Sequence, residues 1–231
     1  TKLGLENYQN MFDFSFSGLG KDVFKSFGVT FEWALISIPL GLVLSFMLAL
    51  LASKEVKGVG VYRLLFYMPT IIPSIAISFI WADTFSSDGL ANQLLLSLGL
   101  PPSMWLEGES TALWTLILTG VWGIGGNMIM WLASLRNIPP ELYEAASLDG
   151  AGYFTNLFRI TIPLCTPMIF YNLLNALIGA MQAFDVYAMV GHGPNDSLYF
   201  ISIRIYETAF GSGNEYGLAL SLIHISEPTR P

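Results

Sequence analysis

Charged residues are scarce in this chain of 231 residues. Asp, Glu, Lys and Arg together make up 12% of it, whereas hydrophobic residues make up 53%. An ordinary soluble domain carries about 25% charged residues, and a globule of this size needs them to cover its surface. The composition therefore argues against a soluble enzyme. The high apolar content also excludes a disordered chain.

Cysteine and histidine are nearly absent as well. The single cysteine, Cys165, excludes a disulfide scaffold. With only two histidines, His192 and His224, a zinc site is not expected. The net charge of −7 argues against nucleic acid as a partner. These absences remove metal chemistry and nucleic-acid binding from the expected functions.

The chain contains four long runs of residues without any charge. A helix needs roughly 20 mostly apolar residues to cross the hydrocarbon layer of a bilayer. The uncharged runs cover residues 33–52, 64–82, 110–135 and 160–184. They predict an all-α membrane protein, a polytopic helical bundle occupying residues 1–222. The expected spans are about 29–52, 63–83, 111–135, 162–190 and a partial one at 216–225.

The positive charges between the spans indicate an orientation. Cytoplasmic loops carry an excess of Lys and Arg. The gaps at 53–63 and 136–159 are rich in them, whereas the gaps at 83–109 and 191–215 contain Arg204 alone. We therefore expect the first pair of gaps to be cytoplasmic and the second pair external. Lys2, Lys21 and Lys25 precede the first span and fit this rule less well.

Both ends of the chain are unusual for such a protein. It begins with Thr1, no signal peptide is recognisable in the first 30 residues, and an external N-terminus would need an earlier span. We expect a fragment that lacks this span. The last apolar run stops at a segment with two prolines and two charges, which cannot continue a membrane helix. We expect residues 223–231 to be a frayed or non-native tail.

A polar stripe follows the predicted fourth span. At 100° per residue, Asn172, Asn175, Gln182 and Asp185 fall on one face of a continuous helix, together with Gly179. Lipid does not accept such a face, so it must meet other helices or a water-filled cavity. Hydrogen bonding between helices and the wall of a solute pathway are both open readings. Amides and one carboxylate suit a hydroxyl-rich, uncharged solute.

The third span contains a glycine cluster near its middle. It reads Trp122-Gly-Ile-Gly-Gly-Asn127. Glycine has the lowest helix propensity after proline, and interrupted membrane helices often expose backbone to a transport pathway. We therefore predict a break in this span, with Asn127 as a candidate pathway residue.

The segment 137–162, between the third and fourth spans, predicts two short helices joined at a glycine. Pro139 and Pro140 suit a helix start, and acidic residues in the first turns suit the helix dipole. Gly150, after Asp149, is placed to adopt a left-handed conformation that ends the first helix. Four residues form an apolar face on the second helix, namely Tyr153, Phe154, Leu157 and Phe158. A hairpin of this kind between two spans is typical of a docking element.

Several motifs in this segment resemble the EAA loop of permease subunits in binding-protein-dependent ABC importers. The motif residues are Glu144, Ala145, Ala146, Asp149, Gly150, Ala151, Phe158, Ile160 and Pro163. Softer matches resemble the carbohydrate-importer branch, namely Tyr8-Gln-Asn, Asn127-Met-Ile-Met, the segment from Leu132 to Tyr143, Tyr67-Met-Pro and Tyr206-Glu-Thr-Ala. The likeness covers about residues 5–222.

The resemblance implies a fold, a mechanism and partners. The fold would be the type I importer permease, a multi-pass protein of a bacterial-type plasma membrane. A second permease would complete the pathway, an extracytoplasmic solute-binding protein would deliver a sugar-like solute, and separate ATP-binding subunits would drive transport. Glu144, Ala145, Ala146, Asp149 and Gly150 would couple this chain to an ATPase. ATP and Mg would be bound there and no cofactor here, which agrees with the missing G-x-x-x-x-G-K-[ST] pattern.

Three alternatives stay open at this point. One is a permease of the same superfamily for a non-sugar solute. Another is an ion-coupled secondary transporter or channel, which would be expected to carry acids within the membrane, where only Asp185 qualifies, at a span edge. The last is a purely structural membrane subunit.

Overall fold

The computed structural model is mainly helical in the part of the chain that it describes, residues 6–13, 20–54, 57–211 and 215–226. No strand occurs within these ranges. The α-helices, in chain order, are α1 Glu6–Met11, α2 Gly20–Ser53, α3 Val59–Tyr67, α4 Ser74–Thr84, α5 Leu90–Ser97, α6 Glu109–Val121, α7 Gly125–Arg136, α8 Pro140–Leu148, α9 Tyr153–Asn156, α10 Ile162–Leu164, α11 Thr166–Met181, α12 Asp185–Val190, α13 Ile201–Phe210 and α14 Tyr216–Ser226.

One described helix, α2, is by itself long and apolar enough to cross a membrane. Three more candidates are pairs of helices with a bend between them, so up to four spans result if each pair counts as one. The pairs are α3 with α4, α6 with α7, and α9–α10 with α11. These candidates coincide with the four uncharged runs of the sequence. The shorter helix α14 covers the predicted partial span and extends to Ser226.

Two of these bends lie at a glycine or beside a proline. Between α6 and α7 the axis turns by 49° around Gly123, which is the break that the glycine cluster predicts. Between α10 and α11 it turns by 65° around Cys165. Pro167 has no N–H with which to bond the carbonyl of Pro163, so the helix cannot continue there unbroken.

Two predicted span limits differ from the structure. The first helix begins at Gly20, well before residue 29. The predicted fourth span, 162–190, is not one helix, because it is bent at Cys165 and α11 ends at Met181. A non-helical stretch follows from 182 to 184, and the carbonyl of Ala183 accepts a hydrogen bond from Ser202 Oγ instead of a helical N–H (2.6 Å). The α12 helix then begins at Asp185.

The described chain divides into two compact units, each with its own core. One unit comprises residues 37–72 and 119–176. Its core surrounds Trp131, which is 2% exposed and packs with Met128 and Cys165. The indole Nε1 of Trp131 donates a hydrogen bond to Ser45 Oγ (3.0 Å), so its polar atom is satisfied inside the apolar core.

The other unit comprises residues 1–36, 73–118 and 177–231, as far as these are described. One of its clusters centres on Phe200 and Leu198, which pack against α6 and the edge of Trp33. A second cluster joins Ile201 and Leu222 to residues of α1 and α2. The α13 helix thus contributes Ile203 to the first cluster and Ile201 to the second.

The connection from α4 to α6, which includes α5 and lies within this second unit, is held in place by one buried side chain. The side chain of Asn92 is 2% exposed and makes hydrogen bonds at both ends of its amide. Its Nδ2 donates to the carbonyls of Ser87 (2.9 Å) and Ser103 (3.0 Å). Its Oδ1 accepts from the Ser103 N–H (2.9 Å) and from Trp105 Nε1 (2.8 Å). One buried asparagine therefore fixes the shape of the predicted external loop.

Candidate functional site

The predicted coupling hairpin is present and is bent at Gly150. The α8 helix begins at Pro140 and ends at Leu148. Gly150 has φ 77°, the left-handed conformation that glycine adopts most easily. The Ala151 N–H donates to the Ala146 carbonyl (2.9 Å), and the Gly150 N–H donates to the Ser147 carbonyl (3.1 Å). These two bonds form a Schellman motif, which ends the helix and turns the chain.

A hydrogen bond between side chains holds the two arms of the hairpin together. Tyr143 on α8 and Thr161 on the returning arm place their hydroxyl oxygens 2.9 Å apart. The returning arm consists of α9, a π-helical turn at Leu157–Thr161 and α10. Because Thr161 is buried, this bond is shielded from water and fixes the opening of the hairpin.

The outer surface of the hairpin exposes apolar side chains. Leu148 is 90% exposed, Phe154 71% and Phe158 63%. Tyr153 is also exposed, whereas Leu157 is half-buried, so the predicted apolar face is narrower than the sequence suggests. Apolar residues exposed this far are typical of an interaction surface.

The motif residues lie on this same surface. Glu144, Ala145 and Asp149 are exposed, and Ala146 is half-buried. The carboxylate of Glu144 makes no hydrogen bond or ion pair with any described residue. It is therefore available to a basic group or a helix N-terminus on a partner. All five predicted coupling residues lie in the C-terminal half of α8 or directly after it.

Two residues of the predicted pathway lie on α11. Asn172 is 4% exposed, and its Nδ2 has no hydrogen-bond partner among the described residues. Asn175 is exposed, and its Nδ2 donates to the Tyr171 carbonyl within the same helix (2.9 Å). Neither the unsatisfied amide of Asn172 nor the exposed amide of Asn175 is suited to lipid. They are suited to a partner helix or to a polar solute.

The other two residues of the polar stripe are not on that helix. The prediction of one face for all four was wrong, because α11 ends at Met181. Gln182 lies in the turn that follows and Asp185 is the first residue of α12. The Nε2 of Gln182 is buried and without a partner among the described residues. Asp185 is exposed.

The remaining pathway candidate, Asn127, follows the break between α6 and α7. It is exposed in the first turn of α7. The neighbouring Gly125 is buried against the carbonyl of Phe66. The glycine cluster therefore serves close packing of α7 against α3, in addition to breaking the span.

A cluster of ionisable and aromatic residues after α12 was missed at the sequence level. Glu207 Oε1 accepts a hydrogen bond from His192 Nε2 (2.7 Å), and Glu207 Oε2 accepts one from the Tyr199 hydroxyl (2.7 Å). The Tyr199 ring stacks on His192 at 4.1 Å, and Arg204 Nη1 donates to the Tyr199 oxygen (3.3 Å). Sequence spacing alone gives no signal for this cluster, because a loop brings His192 to α13.

The cluster borders a cavity of about 490 Å³. Tyr187, Tyr206 and Phe210 contribute aromatic walls, and Glu207 and Arg204 contribute charge. Most of its lining residues lie within the segment 191–215, which the charge pattern predicts to be external. Aromatic walls with a carboxylate and a guanidinium are compatible with hydroxyl-rich solutes.

Within this cluster Tyr199 favours its protonated form and Glu207 its deprotonated form. Burial and the hydrogen bond to Glu207 raise the pKa of Tyr199 to about 12, against the opposing effect of Arg204. Burial alone would raise the pKa of Glu207. The hydrogen bonds from Tyr199 and His192 outweigh it and hold this pKa below the ordinary 4.5. At neutral pH a carboxylate therefore accepts from a neutral phenol.

Comparison with known proteins identifies the family of this chain. Residues 37–226 match the family described as the binding-protein-dependent transport system inner membrane component. The chain belongs to this family. As one of its permeases, it is a transport subunit of the inner membrane and not an enzyme.

Several curated permeases are similar over most of the chain. The probable ABC transporter permease protein YesP of Bacillus subtilis is 38% identical, over 90% of this chain and 67% of its own length. The trehalose/maltose transport system permease protein MalF of Thermococcus litoralis is 30% identical, over 95% of this chain and 73% of its own. The sulfoquinovosyl glycerol permease SmoG of Agrobacterium fabrum is 33% identical, over 96% and 71%.

A solved structure confirms the permease fold. It belongs to a bacterial ABC transporter involved in the import of the acidic polysaccharide alginate. The match has a TM-score of 0.80 at 20% identity and covers 99% of this chain and 85% of that one. The all-α prediction, of the type I importer permease kind, is confirmed.

Proposed function

We propose that this permease forms part of the transmembrane pathway for a sugar or a related polyol or glycoside. A separate ATPase would dock at the hairpin 137–162 and supply the driving force. The observation that carries this proposal is the bent hairpin itself. It combines a left-handed Gly150 with a 90%-exposed Leu148 and an unpaired Glu144 carboxylate. A connector without a partner would have no use for this surface.

Two observations support a sugar-like solute. The named cargoes of similar permeases are saccharides or glycosides, including trehalose or maltose, sulfoquinovosyl glycerol and lactose. Within the apolar helix α11, the polar side chains are uncharged, and two of them are the amides of Asn172 and Asn175. Amides both donate and accept hydrogen bonds, as sugar hydroxyls require.

The remaining partners follow from this role. A second permease would complete the pathway, because one chain supplies only part of its wall. An extracytoplasmic solute-binding protein would contact the loops at 83–110 and 191–216. One related alginate transporter was solved with a pentasaccharide-bound periplasmic protein, which supports a partner of this kind.

A permease of the same family for a non-sugar solute is the second candidate. It would share the hairpin and the partners and differ only in the groups that line the pathway. The exposed carboxylate of Asp185 at the start of α12 is the feature that would favour a cationic solute. Membership of the family argues against the ion-coupled transporter, which needs no ATPase.

Charge reversal at Glu144 tests the coupling role. In the full-length importer we expect Glu144→Lys to uncouple ATP hydrolysis from uptake of a labelled disaccharide, with the chain still folded and inserted. Glu6→Lys makes the same charge change at an exposed position of α1, outside the hairpin and the predicted binding-protein loops, and should leave coupling intact. Normal uptake by the Glu144→Lys importer would show that the docking role is wrong.

A further inference from the structure

A second cavity lies between the hairpin and the ends of the helices that lead into it. It has a volume of about 370 Å³ and is contained within the unit 37–72 and 119–176. Leu50, Leu135 and Leu157 give it an apolar side. Arg136, Asn156 and Tyr153 are among the residues of its polar side. The cavity is therefore amphipathic.

Arg136 is a positively charged residue of this cavity without a partner among the described residues. It is the last residue of α7, and its guanidinium makes no hydrogen bond or ion pair with any residue that the structure describes. Arg63, in the same unit, is used differently, because it donates twice to the Ala52 carbonyl at the end of α2 (3.1 and 2.6 Å). Arg136 has no comparable structural task. Its five donors remain available to an anion.

Asn156 adds a buried acceptor without a donor. Its Oδ1 is fully shielded and has no hydrogen-bond partner among the described residues. Leaving such a group unpaired is unfavourable, so a rotation of the Asn156 side chain that brings Oδ1 to a donor bound in the cavity would be favoured. The hydroxyl groups of Thr161 and Tyr143 in the cavity wall are already engaged, since Thr161 Oγ1 donates to the Asn156 carbonyl (3.3 Å) and pairs with Tyr143.

These features require a ligand with three parts. It must carry an anion for Arg136, a hydrogen-bond donor for Asn156 Oδ1 and an apolar portion for the leucine side. A phosphoglycerol group attached to an acyl chain has all three. We propose that this cavity binds the headgroup of an anionic glycerophospholipid such as phosphatidylglycerol. The phosphate lies on Arg136, and a glycerol hydroxyl donates to Asn156.

The position of the cavity favours a lipid over a free phosphate ester. It opens where α2 and α7 end, on the side that the charge pattern predicts to be cytoplasmic, and in this respect it rests on the proposed orientation. Basic pockets at such positions are known to bind anionic lipid headgroups. Soluble phosphoglycerol would leave the side formed by Leu50, Leu135 and Leu157 uncovered.

Lipid binding would place the coupling hairpin under the influence of the membrane. Leu157 and Asn156 belong to its returning arm, whereas Leu50 and Arg136 end the spans that precede it. A headgroup that contacts both groups ties the hairpin to the inner leaflet. The rate of ATP hydrolysis by the assembled importer should then depend on anionic lipid.

Native mass spectrometry of the full-length importer tests the site with phosphatidylglycerol as the probe. We expect Arg136→Gln to weaken phosphatidylglycerol binding about tenfold, the factor for one lost charge-assisted hydrogen bond. Arg159→Gln removes the same charge from the same hairpin outside the cavity and should bind like the wild type. Equal binding by all three importers would overturn the proposal.

Two further experiments test the contribution of the glycerol hydroxyls and that of the acyl chain separately. Asn156→Leu should reduce the preference for phosphatidylglycerol over phosphatidic acid, which lacks the glycerol hydroxyls. It also provides a second variant should Arg136→Gln fail to assemble. Glycerol 1-phosphate is the soluble probe, and binding as tight as that of the lipid would overturn the lipid assignment. Because none of these measurements uses transport, they stand or fall separately from the proposed sugar uptake.

Discussion

A single carbonyl oxygen limits which residue fits at the start of α7. A Cβ atom added at Gly125 would overlap the carbonyl of Phe66 and lie 3.2 Å from Tyr67 Cα. Both contacts are backbone atoms that cannot rotate away. We therefore expect Gly125→Ala to destabilise the protein by about 1–3 kcal/mol, the usual cost of overpacking.

Thermal unfolding of the detergent-solubilised permease measures this effect. Gly120 provides the matched control, because a Cβ there meets nothing within 4 Å and alanine is the better helix former. Gly120→Ala should leave the melting temperature unchanged or raise it. Equal melting temperatures for Gly125→Ala and the wild type would mean that α7 and α3 do not approach this closely.

Glu207 should stabilise the protein in a pH-dependent way. Since its pKa is lowered in the folded state, its contribution is complete above the ordinary value of 4.5 and is lost as the pH falls below it. Glu207→Gln should therefore cost about 1 kcal/mol near neutral pH, a value reduced by partial solvent exposure. The difference from the wild type should vanish in acid.

Glu215→Gln is the control for this pH series. Glu215 borders the same cavity, but its side chain makes no hydrogen bond or ion pair with a described residue. Unfolding curves at several pH values should show no pH-dependent difference for this variant. A Glu207→Gln difference that persists unchanged in acid would contradict the assigned hydrogen bonds.

At the scale of secondary structure, the hairpin was predictable and α11 was not. Proline at the start of α8 and glycine after Asp149 act through local backbone geometry, which a short sequence window contains. The end of α11 depends on Ser202, which reaches the Ala183 carbonyl from a distant part of the chain. The His192–Glu207 pair likewise depends on a loop, so neither could be read from periodicity.

Asn175 is the pathway candidate that α11 presents most openly. We expect Asn175→Leu to impair uptake while ATPase association stays intact, because the amide would be used by the solute and not by packing. Asn175→Gln retains the amide and should preserve more transport. Uptake of a labelled disaccharide and co-purification of the ATPase are the two readouts.

Gln182→Leu extends this test to the buried amide beyond the helix end. Its Nε2 has no partner among the described residues, so loss of packing hydrogen bonds is not expected to disrupt assembly. The same two readouts apply. Loss of assembly in both Asn175→Leu and Gln182→Leu would assign these amides to contacts between helices and remove them from the pathway.

At the scale of the molecule, the positions of the long apolar segments and the break at Gly123 were predictable, whereas the bend at Cys165 was not. The thickness of the bilayer sets the length of uncharged run that a span needs. Sequence alone therefore locates α2 and the three bent pairs as candidate spans. The bends at Gly123 and Cys165 change direction without changing composition. Hydropathy therefore locates the apolar segments but not the bends within them.

The orientation of the whole protein is the assumption on which docking depends. Asp88 and Leu148 are exposed and are separated by one predicted crossing, α6 with α7, so they should face opposite sides of the membrane. In the full-length protein, Asp88→Cys should react with a membrane-impermeant maleimide in intact cells. Leu148→Cys should react only after permeabilisation. Cys165 is fully buried, which keeps the background low. Labelling of Leu148→Cys in intact cells would place the hairpin outside, where no ATPase could reach it.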